Sequence, residues 1–378
     1  MNTSSGKATK TGEAARRLTA LWALSEVGLG GAMHALRLPL TGLFVGGSAV
    51  FFITLLAWDA RRRGVSPARV LLRSTALVLV VKAAAGPHSP VGAYLAVAFQ
   101  GAAGALLFAA LPGVRGPALL LGAVALLESA AQKLLMLTLF FGAPLAEAID
   151  ALGSRLLLPF GAGDAPVSIS LWLVAGYVGA HAVFGLGIGY LAGRLPARAR
   201  VELRRLRATE KPKDLASGDA RGVPAESHAL PDDASGRRKR RWWQWGAFLA
   251  ALAASYALVG SGTGPWHRAG YVLLRTLGAL ALWYALIGPL LRAALRKLLR
   301  RSGARYALEV ERTTRLLPEM RRLVAATWRE TGEQEGRKSR RLARFAVSLV
   351  AKALLAPASA PPEKVAEEKP ARPAEATL

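Results

Sequence analysis

The chain has 378 residues, 52% of them hydrophobic, and sets 50 Lys and Arg against 24 Asp and Glu for a formal net charge of +26. Mean hydropathy is +0.30, and the apolar residues fall in runs near the ~20 residues that cross a bilayer, which excludes a soluble nucleic-acid binder in spite of the charge. There is no cysteine, so a disulfide framework and thiolate metal or redox chemistry are excluded too.

Residues 1–17 read as a polar N-terminal tail without an evident cleavage site, so no removable signal is expected. Eight runs then read as transmembrane helices: Leu18–Leu36, Leu38–Trp58, Val70–Ala85, Pro90–Leu111, Pro117–Phe141, Val167–Ala192, Trp243–Val259 and Gly270–Leu291. Between the fifth and sixth, Ala143–Ala165 is too polar to span and holds one short amphipathic helix near Ile149–Leu158. The six-span domain covers 18–197. Residues 198–241 form a basic linker whose Pro-, Gly-, Ser- and Asp-rich centre reads as disordered. A two-span unit occupies 242–291. Over 292–356, apolar residues recur at helical spacing (Leu316, Leu317, Met320, Leu323 and Val324, then Leu342, Phe345, Ala346, Leu349 and Val350) among Lys and Arg. These basic amphipathic helices are expected on the membrane surface or against a partner, with anionic lipid attracted to linker and tail. Residues 357–378 read as a disordered tail.

Most of the basic residues lie between the spans and alternate. With the N-terminus inside, the inner segments hold Lys7, Lys10, Arg16 and Arg17, then Arg61, Arg62, Arg63 and Arg69, then Arg115, then Arg194–Arg241 and the tail. The outer loops hold Arg37, Arg155 and Arg268. This is the positive-inside pattern, and it predicts an all-α integral membrane protein with both termini cytoplasmic.

A titratable group inside a bilayer is expensive and calls for a partner or a function. Glu26 and His34 share one face of the first span, Lys82 ends the third, Gln100 sits in the fourth, and Glu128 shares a face of the fifth with Gln132. Gly86-Pro87-His88-Ser89-Pro90 is a tight hairpin tip on the outer side. Its Ser-Pro pair starts a helix whose free N–H groups and positive dipole end face the loop beside His88. These residues predict a polar cavity that opens outward and binds a small molecule through Glu26, His34, Lys82, His88, Ser89, Gln100 and Glu128. Lys82 is expected to snorkel outward and, with His88 and the amides after Ser89, to take an anionic part of the ligand. Glu26 and Glu128 would serve donors or counter-ions. The same residues also admit a bland reading, in which Glu26 or Glu128 pairs with Lys82 or Lys133 to hold the bundle together. Gly185, Gly189 and Gly193 form a small-residue packing seam below His181. Walker A, HExxH and GxSxG patterns are absent, so no enzyme, catalytic residue, metal or cofactor is expected. A structural or assembly protein with a basic adaptor tail is the alternative reading, and a membrane transferase acting on a lipid phosphate is the third.

The stretches SEVGLGGAMHALRLPLTGLFVGG (Ser25–Gly47) and KAAAGPHSPVGAYLAVAFQG (Lys82–Gly101), within six spans that have both ends inside, resemble the S components of energy-coupling factor vitamin transporters. The resemblance implies a bacterial plasma-membrane protein that binds a vitamin or other micronutrient near its outer side. It also implies uptake with a T component and ATPases as partners. Leu317-Pro318-Glu319-Met320-Arg321-Arg322 faintly resembles a T-component coupling helix, without the Ala-Arg-Gly signature.

Overall fold

The computed structural model describes residues 4–30, 41–85, 91–157, 168–209, 288–333 and 338–355, with a few helical positions within 270–280. Helix α1 (Ser4–Leu24) runs directly into a π-helical turn (Ser25–Leu29). It is followed by α2 (Thr41–Arg62), α3 (Pro67–Ala85), α4 (Val91–Ala110), α5 (Arg115–Phe140), α6 (Ala143–Leu157), α7 (Ile169–Thr209), α8 (Gly288–Glu333) and α9 (Lys338–Leu355). There is no strand among the described residues.

Four of these helices are long and apolar enough to cross a membrane: Gly42–Arg62, Gly92–Ala110, Arg115–Thr138 and Ile169–Ala208. By length and composition the chain is a helical membrane protein. The expected third span is the helix α3, but Arg69, Arg73 and Lys82 leave it outside that set. The seventh expected span lies outside the described residues, and the eighth mostly so. The expected amphipathic helix near Ile149–Leu158 is α6, which begins earlier, at Ala143.

Local chemistry sets the ends. After α2, Gly64 takes φ 69°, the Val65 N–H reaches the Ala60 carbonyl at 3.0 Å and the Gly64 N–H reaches Arg61 at 3.1 Å. That paired closure is a Schellman stop, and it requires the left-handed residue that glycine supplies. Ser66-Pro67 then opens α3, as its cap-and-ring chemistry predicts. At the far end of α4 the Arg61 guanidinium reaches back to the carbonyls of Phe108 and Leu111, both at 2.6 Å, and to Gly113. It thereby satisfies orphan carbonyls that a helix cannot satisfy by itself.

The core is continuous across α1 to α5 and α7. Leu18, Trp22, Ile53, Leu56, Leu71, Phe108 and Leu121 are essentially fully buried in it. Helices α5 and α7 pack tightly because glycines replace side chains at their contact. A Cβ built on Gly185 would lie 2.5 Å from the Gly122 carbonyl oxygen and 2.9 Å from the Ala123 Cα. One on Gly189 would lie 2.7 Å from the Leu119 Cα, and one on Gly193 3.1 Å from the Arg115 Cα. Backbone against backbone is how apolar helices associate when hydrophobicity alone gives no preference for helix over lipid.

Three regions differ from the sequence expectation. The polar N-terminal stretch is helical from Ser4, and its Arg17 is 2% exposed between Glu13 at 3.0 Å and Glu319 at 3.6 Å. Helix α7 continues past the sixth span, through Pro196, to Thr209, so the start of the basic linker is helical. The C-terminal helices pack on the chain's own bundle. Met320 is fully buried with Ala20, Leu21, Leu349 and Ala353, beside Leu317, Leu323, Val324 and Phe345. Leu342 is the exception to that apolar face, being 58% exposed. An amphipathic face can be matched equally by lipid, a partner or its own bundle, and its spacing is the same in each case.

The start of α7 shows a distant cap. Ser168 accepts the Leu171 N–H locally at 3.2 Å, while Asp150 of α6 accepts the Ser170 N–H at 2.7 Å and the hydroxyls of Ser168 and Ser170 at 3.2 and 3.0 Å. The Ser170 backbone bond is the main reason the Asp150 carboxyl is held below its ordinary pKa.

Two expected outcomes follow from this packing and capping. Gly189→Ala should lower detergent stability by about 1–3 kcal/mol through overpacking, whereas Gly187→Ala, with nothing within 4 Å of its Cβ, should be neutral or slightly stabilising; equal melting temperatures for the two variants would refute the seam. For Asp150 the depressed folded pKa means the stabilisation is complete above the unfolded carboxylate pKa of about 3.9. It is lost as pH falls through the folded value. The melting-temperature gap between wild type and Asp150→Ala should therefore be open at pH 7 and close on acidification below about pH 4; a gap unchanged at pH 3 would show that the charge is not what matters.

Candidate functional site

An apolar bundle with a buried charge must compensate it, and the structure shows where. Lys82, in the last turn of α3, places Nζ 2.7 Å from Oε2 of Glu26, with side-chain exposures of 4% and 0%. The Ala93 carbonyl accepts a longer bond from the same Nζ at 3.4 Å, and the ring of Tyr94 lies 5.7 Å away in cation–π geometry. Lys82 does not snorkel outward as expected: it is turned inward, toward a buried carboxylate that compensates its charge.

The π turn helps to aim Glu26. From Leu24 onward the backbone widens for one turn, the Gly30 N–H returns to the Ser25 carbonyl, and Ser25 Oγ bonds to the Trp22 carbonyl at 2.8 Å. A π turn inserts an extra residue per turn and shifts the register of side chains beyond it, a feature common at functional sites.

Beside the ion pair is a cavity of about 250 Å³. Glu26, Lys82, Gln100, Ser129 and Gln132 supply its polar wall, and Gly42, Val45, Gly46, Gly92 and Ala96 its apolar wall. Gly42 and Gly92 are in the first turns of α2 and α4 and Lys82 is in the last turn of α3. The cavity therefore sits at the end of the bundle where residues 31–40 and 86–90 connect the helices, opposite Arg61–Arg63 and Arg115. Glu128 adjoins it: its Oε1 accepts from Gln132 Nε2, while its Oε2 is buried. Among the described residues neither that oxygen nor Oε1 of Glu26 has a hydrogen-bond partner. The site thus holds two carboxylates, one ammonium and two carboxamides.

Of the seven residues expected to bind, the structure brings Glu26, Lys82 and Gln100 onto one cavity and sets Glu128 behind Gln132. His34, His88 and Ser89 lie outside the described residues. His181 is not at the cavity; its Nδ1 lies 2.9 Å from the Tyr177 carbonyl and its ring 4.3 Å from the Tyr177 ring, on α7. Gly185, Gly189 and Gly193 are on the seam with α5. The small residues of α2 and α4 at the cavity were not singled out from sequence, although a signal existed: Gly92, Ala96 and Gln100 recur at i, i+4 and i+8, a groove ending in a carboxamide. Gly46 completes it, since a Cβ there would lie 3.3 Å from Gln100 Nε2. No group of three or more His, Cys, Asp and Glu suited to a metal occurs among the described residues.

No protein-family model, curated protein or solved structure matches this chain.

Proposed function

We propose that the N-terminal membrane unit binds a small molecule in the cavity beside the Lys82–Glu26 pair and delivers it inward with partner subunits, in the manner of an energy-coupling factor S component. The observation that carries this is a cavity with a polar wall inside apolar helices: about 250 Å³ is left open beside the buried ion pair. That volume is just below the ~300–1,000 Å³ of drug-sized pockets, which suits a compact ligand. Unanswered acceptors on Glu26 and Glu128, with Lys82 already paired, favour a ligand that presents hydrogen-bond donors over an anionic one. The cavity is at the end of the bundle that the loop charges favour as the outer one, with both termini inside. The same topology supports a multi-pass protein of the bacterial inner membrane, in which transport energy comes from partner ATPases.

A second reading has one observation in its favour. Each charge of the pair already compensates the other, and helix glue needs no ligand. In that case the chain is an assembly protein and its basic segments are adaptors to lipid or protein.

Paired substitutions separate the two. Lys82→Met alone strands the Glu26 carboxylate and should cost about 3–5 kcal/mol, seen as lost membrane abundance. Glu26→Met with Lys82→Met removes both charges and should restore abundance. Mass spectrometry of small molecules co-purifying with the wild type should then find a species missing from the double variant. Recovery of the same small-molecule profile from both proteins, at equal abundance, would leave the pair as glue and defeat the binding reading.

A further inference from the structure

The end of the bundle opposite the ion pair holds a second cavity of about 250 Å³ with a different character. Four arginines from four elements converge on it: Arg16 of α1, Arg63 just after α2, Arg73 of α3 and Arg312 of α8. Two carboxylates answer them in part. Glu309 accepts from Arg73 Nε at 2.6 Å, and Asp59 lies 2.8 Å from Arg63. Among the described residues Arg16 and Arg312 have no ion-pair partner, and Arg63 Nε is buried without a hydrogen bond. Four guanidinium groups against two carboxylates leave an excess of two positive charges around a recess. Like charges gathered at that density repel, and the arrangement is stable when an anion sits among them.

The walls narrow the anion's identity. Val70 and Leu77 line the α3 side, and the buried hydroxyls of Thr19 and Ser74, bonded to each other at 2.9 Å, form a neutral polar floor. Guanidinium forks match the oxygens of a phosphate in paired hydrogen bonds, which an ammonium does not do. The apolar flank suits a phosphate that carries a hydrocarbon. We propose that this recess is a phosphate-binding site that clamps the C-terminal helix α8 to the membrane bundle, filled by the headgroup of an anionic phospholipid or by a soluble phosphate. Because α8 contributes both Arg312 and Glu309, occupancy ties residues more than 230 positions apart into one electrostatic unit. The site is separate from the cavity beside Lys82: Arg73 and Lys82 stand nine residues apart on α3, roughly 13 Å along the axis.

The test uses the full chain in detergent, with phosphatidylglycerol, phosphatidylcholine and inorganic phosphate as probes and the melting temperature and native mass spectrometry as readouts. Arg16→Gln with Arg312→Gln removes the two unpaired cations and leaves both existing ion pairs. Arg321→Gln with Arg322→Gln, exposed on the same helix, removes equal charge outside the recess. Wild type and the control pair should show saturable stabilisation by phosphatidylglycerol and none by phosphatidylcholine, and the recess pair should bind at least about tenfold more weakly. Saturation by phosphatidylglycerol alone assigns a lipid headgroup, and saturation by inorganic phosphate as well assigns a site open to soluble anions; both support the proposal. Equal weakening in the two double variants means diffuse attraction to an anionic surface, and that result, or the absence of saturable binding by either anion, overturns it.

Discussion

A lysine and a glutamate with almost no access to solvent cannot be left apart inside an apolar bundle. Separating them would expose each to a desolvation cost of several kcal/mol per ion. Much of the surrounding structure is consistent with that one requirement. The π turn at Ser25–Leu29 turns Glu26 toward α3, α3 runs long enough to bring Lys82 to its last turn, and α4 offers the Ala93 carbonyl and the Tyr94 ring to the remaining faces of the ammonium. The small residues Gly42, Gly46, Gly92 and Ala96 then leave a gap beside the pair where larger ones would have closed it. A buried ion pair is weak evidence for stability, since an apolar substitute of equal volume often does better. Its placement beside an open cavity is what ties it to binding.

The opposite end is organised by arginine. Arg61 closes the end of α4, Arg17 joins α1 to Glu319 of α8, and Arg73 joins α3 to Glu309. Arg62 and Arg200 both lie over the indole of Trp58, at 4.8 and 5.1 Å. Charges that a reading of topology treats as markers of orientation therefore have structural partners, and two of these partners, Glu309 and Glu319, hold α8 against the bundle. The two ends differ in kind: one encloses a compensated charge beside a gap, and the other gathers more positive charge than its own carboxylates answer.

How far each part was legible depends on whether its cause is local. Four of the eight expected spans were legible because lipid selects long apolar runs, and α2, α4, α5 and α7 follow from composition. The glycine seam was legible because Gly185, Gly189 and Gly193 repeat at helical spacing. The ends at Gly64 and at Ser66-Pro67 are local chemistry as well. That Glu26, Lys82 and Gln100 are polar residues within apolar runs, each calling for a partner or a function, could also be inferred from sequence. The direction in which Lys82 points could not, because both its options, outward to water or inward to a carboxylate, are compatible with a lysine near a helix end.

By itself, then, the sequence determined that this is a helical membrane protein, which residues are costly inside it, and where small residues permit close packing, because each of these follows from the chemistry of a short segment in lipid. The tertiary structure decided which costly residues meet. It paired Lys82 with Glu26, separated His181 from them, brought Asp150 to the start of α7, and folded the amphipathic C-terminal helices onto their own chain. Those outcomes join residues far apart along the chain, and a periodic pattern specifies that a face will be covered without specifying by what.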